Sequence, residues 1–190
     1  MRSSGSTRKR PDRRIRVGVI LVGDDDPRRC TGRRLIRLGL AREVRDGAGS
    51  SDRSVVLDPY SAVPLTAADR TRASAGGLVA VDCSWNRLSA SRSGHPGSGG
   101  SSIGSGARRL PILVAANPQH FGRLGELNTA EALAAALYLL GRTGEAVRLL
   151  SGFAGGPTFL ELNRERLDRY ARAQSVAELV ESERGLFGGG

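Results

Sequence analysis

The chain has 190 residues and a formal net charge of +10, from 29 Lys and Arg against 19 Asp and Glu. This length suits one compact domain or two small lobes, and the charge favours a polyanion as partner. Charge alone leaves RNA binding and a general arginine bias equally supported. Lys9 is the only lysine, which excludes Schiff-base, pyridoxal phosphate and Walker A chemistry in the rest of the chain.

Cysteine content and hydropathy exclude further classes. The two cysteines, Cys30 and Cys83, form no CxxC pair, so we expect no metal centre. No stretch approaches the ~18 apolar residues of a membrane span, and no apolar signal segment follows the charged start. We therefore expect a cytoplasmic protein with reduced thiols and no membrane contact.

The N-terminal half shows the alternation of strands and helices that is typical of a parallel α/β sheet. Residues 1–14 are polar and basic, and we expect them to form a disordered tail that contacts RNA phosphates. The predicted elements are a strand at 15–22, a helix at 31–40, strands at 55–57 and 78–81, a helix at 67–74 and a last strand at 112–116. Ser and Gly dominate 89–107, which predicts a flexible insertion.

The C-terminal half has helical periodicity throughout. Helices are predicted at 130–140, 144–150, 160–170 and 176–182, with Gly141 and Gly152 as helix stops. The sequence thus predicts an α/β domain at 15–117, which contains the insertion, and a helical domain at 118–186.

Polar side chains follow the strand at 78–81 directly. Ligands of open α/β sheets lie at the carboxyl ends of parallel strands, so Asp82 is placed either in solvent at the sheet edge or where it could accept a proton. Trp85, the only tryptophan, is either a core residue or the wall of a pocket.

Two helix starts present possible anion donors. Asn128 and Glu131 have the spacing of a capping box, which leaves the amide of Thr129 free of helical partners. Thr31 opens the first helix and offers an amide and a hydroxyl. Both threonines are either part of ordinary caps or donors to a shared anionic ligand.

These blocks together resemble the small-subunit ribosomal RNA aminocarboxypropyltransferases of archaea and eukaryotes. The resemblance is carried by the ordered series Cys30-Thr31-Gly32-Arg33-Arg34, Val81-Asp82-Cys83-Ser84-Trp85, Leu110 to Pro118, and Leu127-Asn128-Thr129-Ala130-Glu131. It implies a SPOUT-like parallel sheet in the N-terminal half, an all-helical C-terminal half and a deep trefoil knot. It also implies that S-adenosylmethionine donates its 3-amino-3-carboxypropyl group to N3 of N1-methylpseudouridine in small-subunit ribosomal RNA. Methylthioadenosine is the other product.

The resemblance also implies roles for individual residues. Thr31 and the amide of Thr129 would hold the methionyl carboxylate of the donor. The carbonyl of Val81 would meet the ribose, and backbone groups near Leu110 and Gly125 would read the adenine. The remaining implied contacts are Trp85 with Leu88 around the sulfonium methyl group, Asp82 as a base or a positioning group for the acceptor, and Arg33, Arg34, Arg37, Arg109 and Arg123 on RNA phosphates.

Other functions fit parts of the pattern. The first alternative is a SPOUT-type RNA methyltransferase that uses the same donor, and the second is a non-catalytic ribosome-assembly factor that binds RNA. A metal-dependent hydrolase is disfavoured because His and Cys are scarce. The expected partner is the small-subunit RNA or the pre-ribosomal subunit. The resemblance also implies a monomer, since the helical half would occupy the surface through which related SPOUT enzymes dimerise.

Overall fold

The computed structural model describes residues 14–21, 30–45, 53–82 and 105–187. The predicted N-terminal tail lies almost entirely outside these ranges, as does most of the insertion at 89–107. Trp85 and Leu88 are also outside them. Within the described part of the chain, no helix is both long enough and apolar enough to cross a membrane.

Five parallel strands form one sheet in the described residues. They are β1 (Val17–Leu21), β2 (Arg42–Glu43), β3 (Val55–Leu57), β4 (Leu78–Asp82) and β5 (Ala107–Arg108), in the order β2-β1-β4-β3-β5. The apolar runs of β1, β3 and β4 are buried, as expected of strands in a covered parallel sheet. The predicted strands at these three positions are confirmed.

The sheet creates a crevice at the carboxyl ends of β1 and β4, which are neighbours. After β1 the chain leads to β2 at one edge of the sheet, whereas after β4 it leads to β5 at the other edge. Because the chain leaves these two adjacent strands in opposite directions, a crevice opens between the two connections, and ligands of α/β proteins bind in such crevices. Asp82, the last residue of β4, lies at this point beside Leu21.

Seven α-helices accompany the sheet in the described residues. They are α1 (Thr31–Arg37), α2 (Arg70–Gly76, preceded by a 3-10 turn at Ala67–Asp69), α3 (Thr129–Leu139), α4 (Thr143–Leu150), α5 (Gly156–Leu162), α6 (Arg164–Arg172) and α7 (Val176–Phe187). An α/β fold is confirmed.

Helix α3 is the centre of the core. Nearly all of its side chains are buried, and it contacts β4, α1, α4 and α6. The core therefore runs continuously from the sheet into the helices. The helix stops where Gly141 adopts φ +72° and the amide of Arg142 donates to the carbonyl of Leu137, an arrangement that closes helices at glycine.

The predicted strand at 112–116 is wrong. This segment is extended and partly buried, but it forms only an isolated bridge between Val114 and Leu124. Backbone groups of the loop at 122–125 bond Leu113 and Ala115, and side chains of the helices bond much of the rest. Asn163 donates to the carbonyl of Val114 and accepts from its amide, both at 2.8 Å, and Glu183 accepts from the amide of Ile112 at 3.0 Å. The prediction that this segment is buried is correct, but the segment does not pair with a strand of the sheet.

Smaller differences concern element boundaries. The predicted helix at 160–170 is two helices, because Asn163 separates α5 from α6 and turns its carboxamide toward Val114. The two-residue strands β2 and β5 were not predicted. Ala107, at the end of the predicted insertion, begins β5.

Candidate functional site

The site is built around the carboxylate of Asp82, which is only 9% exposed. One oxygen, Oδ2, accepts hydrogen bonds from the amide of Gly32 at 3.1 Å and from the thiol of Cys30 at 2.8 Å. The other oxygen, Oδ1, accepts from the hydroxyl of Thr129. The carboxylate therefore links the end of β4 to the starts of α1 and α3.

All three of these contacts use Asp82 as an acceptor, which is the hydrogen-bonding role of an ionised carboxylate. No arginine, lysine or histidine within the described ranges contacts either oxygen. The carboxylate is instead hydrogen-bonded by neutral donors, two of which belong to the first turn of α1 or to its cap.

Glycine at position 32 permits this close approach. A β-carbon there would lie 2.6 Å from Oδ2 of Asp82 and 2.8 Å from Cγ1 of Val19. Both distances are below any real contact, so a side chain at this position would displace Asp82 or the helix start.

The thiol of Cys30 has two partners. It donates to Asp82, and its sulfur accepts the amide of Arg33 at 3.3 Å, which caps α1. Burial, followed by the hydrogen bond to Asp82, raises the pKa of Cys30 to about 11. Cys30 is therefore a protonated donor at neutral pH rather than a nucleophile.

The two threonines predicted as anion donors flank Asp82 on either side. The amide and the hydroxyl of Thr31 have no hydrogen-bond partner in the described part of the chain, and neither has the amide of Thr129. The structure thus brings Thr31, Asp82 and Thr129 to one place, with donors still available to a ligand.

The predicted capping box of α3 is present, and its glutamate makes further hydrogen bonds outside the helix. Asn128 accepts the amide of Glu131 at 2.9 Å, and Glu131 accepts the amide of Asn128 at 2.9 Å. Glu131, 2% exposed, also accepts from the amide of Ala116 at 2.8 Å and from the carboxamide of Asn117 at 2.7 Å. This carboxylate fixes the extended segment to the start of α3.

The two adenine-reading positions implied by the resemblance lie on neighbouring backbones. Leu110 opens the extended segment and is half-buried, and Gly125 is exposed at φ +76° in the following loop. The amide of Gly125 donates to the carbonyl of Leu113 at 2.8 Å, which ties the loop to the segment. Val81 directly precedes Asp82 on β4.

Ion pairs and hydrogen bonds among three side chains hold the loop that contains Gly125. His120 Nδ1 hydrogen bonds to Glu126, and Arg123 lies 3.3 Å from the same carboxylate. These contacts, above all the one with His120, lower the pKa of Glu126 below its ordinary value. Phe121 is 65% exposed at the tip of the loop.

The five arginines proposed for RNA are not equivalent. Arg33 and Arg37 are exposed on α1 and have no ion-pair partner among the residues described. Arg34 donates to the carbonyl of Gly152 at 2.7 Å and stacks on Phe153. The last two pair with carboxylates: Arg109 binds Glu183 through two nitrogens, and Arg123 pairs with Glu126.

Sequence reasoning missed Cys30, Gly32 and Glu131 as members of the site. Only the capping-box spacing of Glu131 signalled its position, since the other two act through contacts that join distant parts of the chain. No group of three or more potential metal ligands occurs within the described residues.

Comparison with family models identifies the chain's relatives. Residues 55–187 match the model described as "Ribosome biogenesis protein, C-terminal". Residues 15–49 match a model described as a possible Fer4-like domain in RNase L inhibitor. The second description does not imply a cluster here, because the chain has two cysteines and a four-iron cluster takes four thiolate ligands.

Curated relatives agree with the first match. The chain is 45% identical to the 16S rRNA aminocarboxypropyltransferase of Methanopyrus kandleri over 85% of this chain and 92% of that protein. It is 40% identical to the 18S rRNA aminocarboxypropyltransferase of Schizosaccharomyces pombe over 85% of this chain and 54% of the relative. The chain belongs to the small-subunit rRNA aminocarboxypropyltransferase family.

A solved structure extends the family match to the fold. The SAM-dependent rRNA acp-transferase of Vulcanisaeta distributa superposes with a TM-score of 0.76 at 39% identity, over 91% of this chain and 89% of that one. The predicted family, with its transferase class and its donor, is therefore confirmed.

Proposed function

We propose that the chain transfers the 3-amino-3-carboxypropyl group of S-adenosylmethionine to N3 of N1-methylpseudouridine in small-subunit ribosomal RNA, and releases methylthioadenosine. The observation that carries the proposal is the placement of Asp82 between two helix starts, where the amides of Thr31 and Thr129 have no partner among the described residues. That arrangement suits an enzyme that must hold a carboxylate beside a proton acceptor. A bare RNA-binding factor has no need of it.

The donors that have no partner within the described ranges fit the amino-acid end of the donor substrate. The amides of Thr31 and Thr129 and the hydroxyl of Thr31 lie on both sides of Asp82, and a carboxylate accepts such hydrogen bonds well. With the carboxylate anchored there, the γ-carbon of the propyl group is directed toward the acceptor. Positioning decides the outcome, because three carbons on the sulfonium carry the same activation.

The extended segment and its loop fit the nucleoside end. Leu110 and Gly125 supply backbone groups for the adenine, and Val81 supplies a carbonyl for the ribose. Glu131 and Asn163 keep the segment in place by hydrogen bonds to its backbone. Trp85 and Leu88, outside the described residues, are proposed to shield the methyl group.

Asp82 is proposed to accept the N3 proton of the acceptor base. The N3 electron pair forms a bond to the γ-carbon, the carbon–sulfur bond breaks, and its electron pair stays on sulfur in neutral methylthioadenosine. The proton passes to Asp82 and then to water. General bases of this kind contribute about 10²-fold or more to a rate.

Further proposals concern the whole protein. We propose that Arg33 and Arg37, which are exposed and unpaired within the described residues, contact RNA phosphates together with the other predicted arginines. The SPOUT-like knot, the division into 15–117 and 118–186, the monomeric state and the cytoplasmic location also stay proposals, supported by the family resemblance.

The Asp82→Asn variant tests the proposed chemistry. It keeps the size of the side chain and an acceptor oxygen but removes the proton acceptor. We expect S-adenosylmethionine binding to remain and methylthioadenosine release on small-subunit RNA to fall about a hundredfold. Nucleoside analysis of the RNA should lose the modified pseudouridine in parallel. Unchanged modification by Asp82→Asn would overturn the proposed role of Asp82.

A further inference from the structure

We propose that the hydroxyl of Thr129 and the thiol of Cys30 are positioning groups, which hold the carboxylate of Asp82 in the orientation needed for transfer. The inference rests on the proposed function in taking Asp82 as the group that meets the acceptor base. It adds two side chains to that function. Neither of them needs to touch a substrate.

Free rotation of the carboxylate is the reason that such groups are needed. The last torsion of an aspartate side chain is broad and has no sharp staggered minimum. A single backbone donor, the amide of Gly32 on Oδ2, would leave Oδ1 unrestrained. The thiol of Cys30 adds a second donor to Oδ2, and the hydroxyl of Thr129 restrains Oδ1 from the opposite helix.

The two groups belong to elements that pack against each other and against the sheet. Cys30 caps α1, Thr129 is the first residue of α3, and α1 contacts α3 directly. Asp82 is 9% exposed between them. Both helix starts must therefore be in place for the carboxylate to be held at both oxygens.

The amide and the hydroxyl of Thr129 have different roles. Its amide has no partner in the described part of the chain and is available to the donor's carboxylate, whereas its hydroxyl is committed to Asp82. A substitution of the side chain removes the second contact and leaves the first. A positioning role thus predicts a lower kcat with an unchanged KM for S-adenosylmethionine.

Matched pairs of variants test this division. Thr129→Val keeps the shape and the amide but lacks the hydroxyl, and Thr129→Ser keeps the hydroxyl. Cys30→Ala lacks the donor, and Cys30→Ser keeps a donor and the cap. Thr143→Val, at the exposed first position of α4, controls for a valine at a helix start.

We expect Thr129→Val to lower kcat for methylthioadenosine release about tenfold, the loss typical of one hydrogen bond to a charged group. Cys30→Ala is expected to lower kcat less, because thiols are weak donors. The serine variants should recover most of the rate, and all variants should keep the KM for the donor. Crystals of Thr129→Val should show the Asp82 carboxylate rotated.

Three results would overturn the inference. In the first, Thr129→Val and Thr129→Ser have equal kcat. In the second, Thr129→Val raises the KM for S-adenosylmethionine at constant kcat, which would place the hydroxyl on the donor. In the third, thermal melts show Thr129→Val to be unfolded while Cys30→Ala, which folds, keeps full kcat. Failure of the proposed function is a separate outcome, seen when the unmodified protein releases no methylthioadenosine.

Discussion

At the scale of single residues, the approach of Asp82 to the start of α1 depends on the missing side chain of Gly32. We expect Gly32→Ala to displace the carboxylate, because the new β-carbon would lie 2.6 Å from Oδ2. A displacement near 1 Å at a reacting group costs about a hundredfold in rate, measurable as methylthioadenosine release. Gly144→Ala is the control, since a β-carbon there meets nothing within 4 Å. Equal activity of the two variants would contradict the role of this contact.

The protonation of Cys30 gives a second test at this scale. Because burial and Asp82 raise its pKa to about 11, the reactive thiolate is scarce at neutral pH and increases as pH rises toward that value. In a Cys83→Ser background, alkylation of Cys30 by iodoacetamide should be slow at pH 8 and accelerate up to pH ~11. A rate that levels off near pH 9, the ordinary range of a thiol, would contradict the burial of this group.

The raised pKa of Cys30 also makes the stability of the fold depend on pH. The folded protein holds the Cys30 proton more tightly than the unfolded chain does, so this contribution is fully present below pH ~9 and is lost as pH rises through ~11. Thermal melts of Cys30→Ser should therefore lose less stability than the unmodified protein over that interval. Parallel losses in both proteins would assign the effect to other groups.

At the scale of elements, the extended segment that follows β5 has side chains in place of a strand partner. Asn163 satisfies both backbone groups of Val114, and it is fully buried. We expect Asn163→Leu to leave these two groups unpaired and to lower the free energy of unfolding by about 2–6 kcal/mol, at roughly 1–3 kcal/mol per orphaned group. Denaturant titration measures this, and Glu165→Ala at an exposed site of α6 should change little.

The sequence predicted correctly those strands and helices whose apolar pattern matches their backbone hydrogen bonding. β3 was predicted to the residue, and β4 and α3 within about one residue of each end. At 112–116 the pattern predicted the burial but not the hydrogen-bond partners. These are the backbone of the next loop and the side chains of helix residues that lie from 15 to 71 residues further on. The family resemblance implied that Thr31, Asp82 and Thr129 serve one site, whereas the residue pattern alone left their roles open. Neither indicated the contacts of Cys30 and Gly32 with Asp82.

At the scale of the whole molecule, the net charge of +10 predicts salt-sensitive binding to RNA. Arg33→Gln and Arg37→Gln on α1 should each reduce the slope of log affinity against log salt by about 1. Filter binding to small-subunit RNA at several salt concentrations measures the slope. Arg184→Gln on α7, whose side chain is 75% exposed, is the control on a different helix. Equal slopes for all three variants would remove α1 from the proposed RNA surface.

The central claim is that the three-carbon arm of the donor moves and its methyl group does not. Small-subunit RNA is incubated with the protein and with S-adenosylmethionine labelled either in the carboxyl carbon or in the methyl carbon. We predict that the carboxyl label enters the RNA and that the methyl label leaves in methylthioadenosine. Methyl label in the RNA, together with S-adenosylhomocysteine in solution, would contradict the account and identify a methyltransferase.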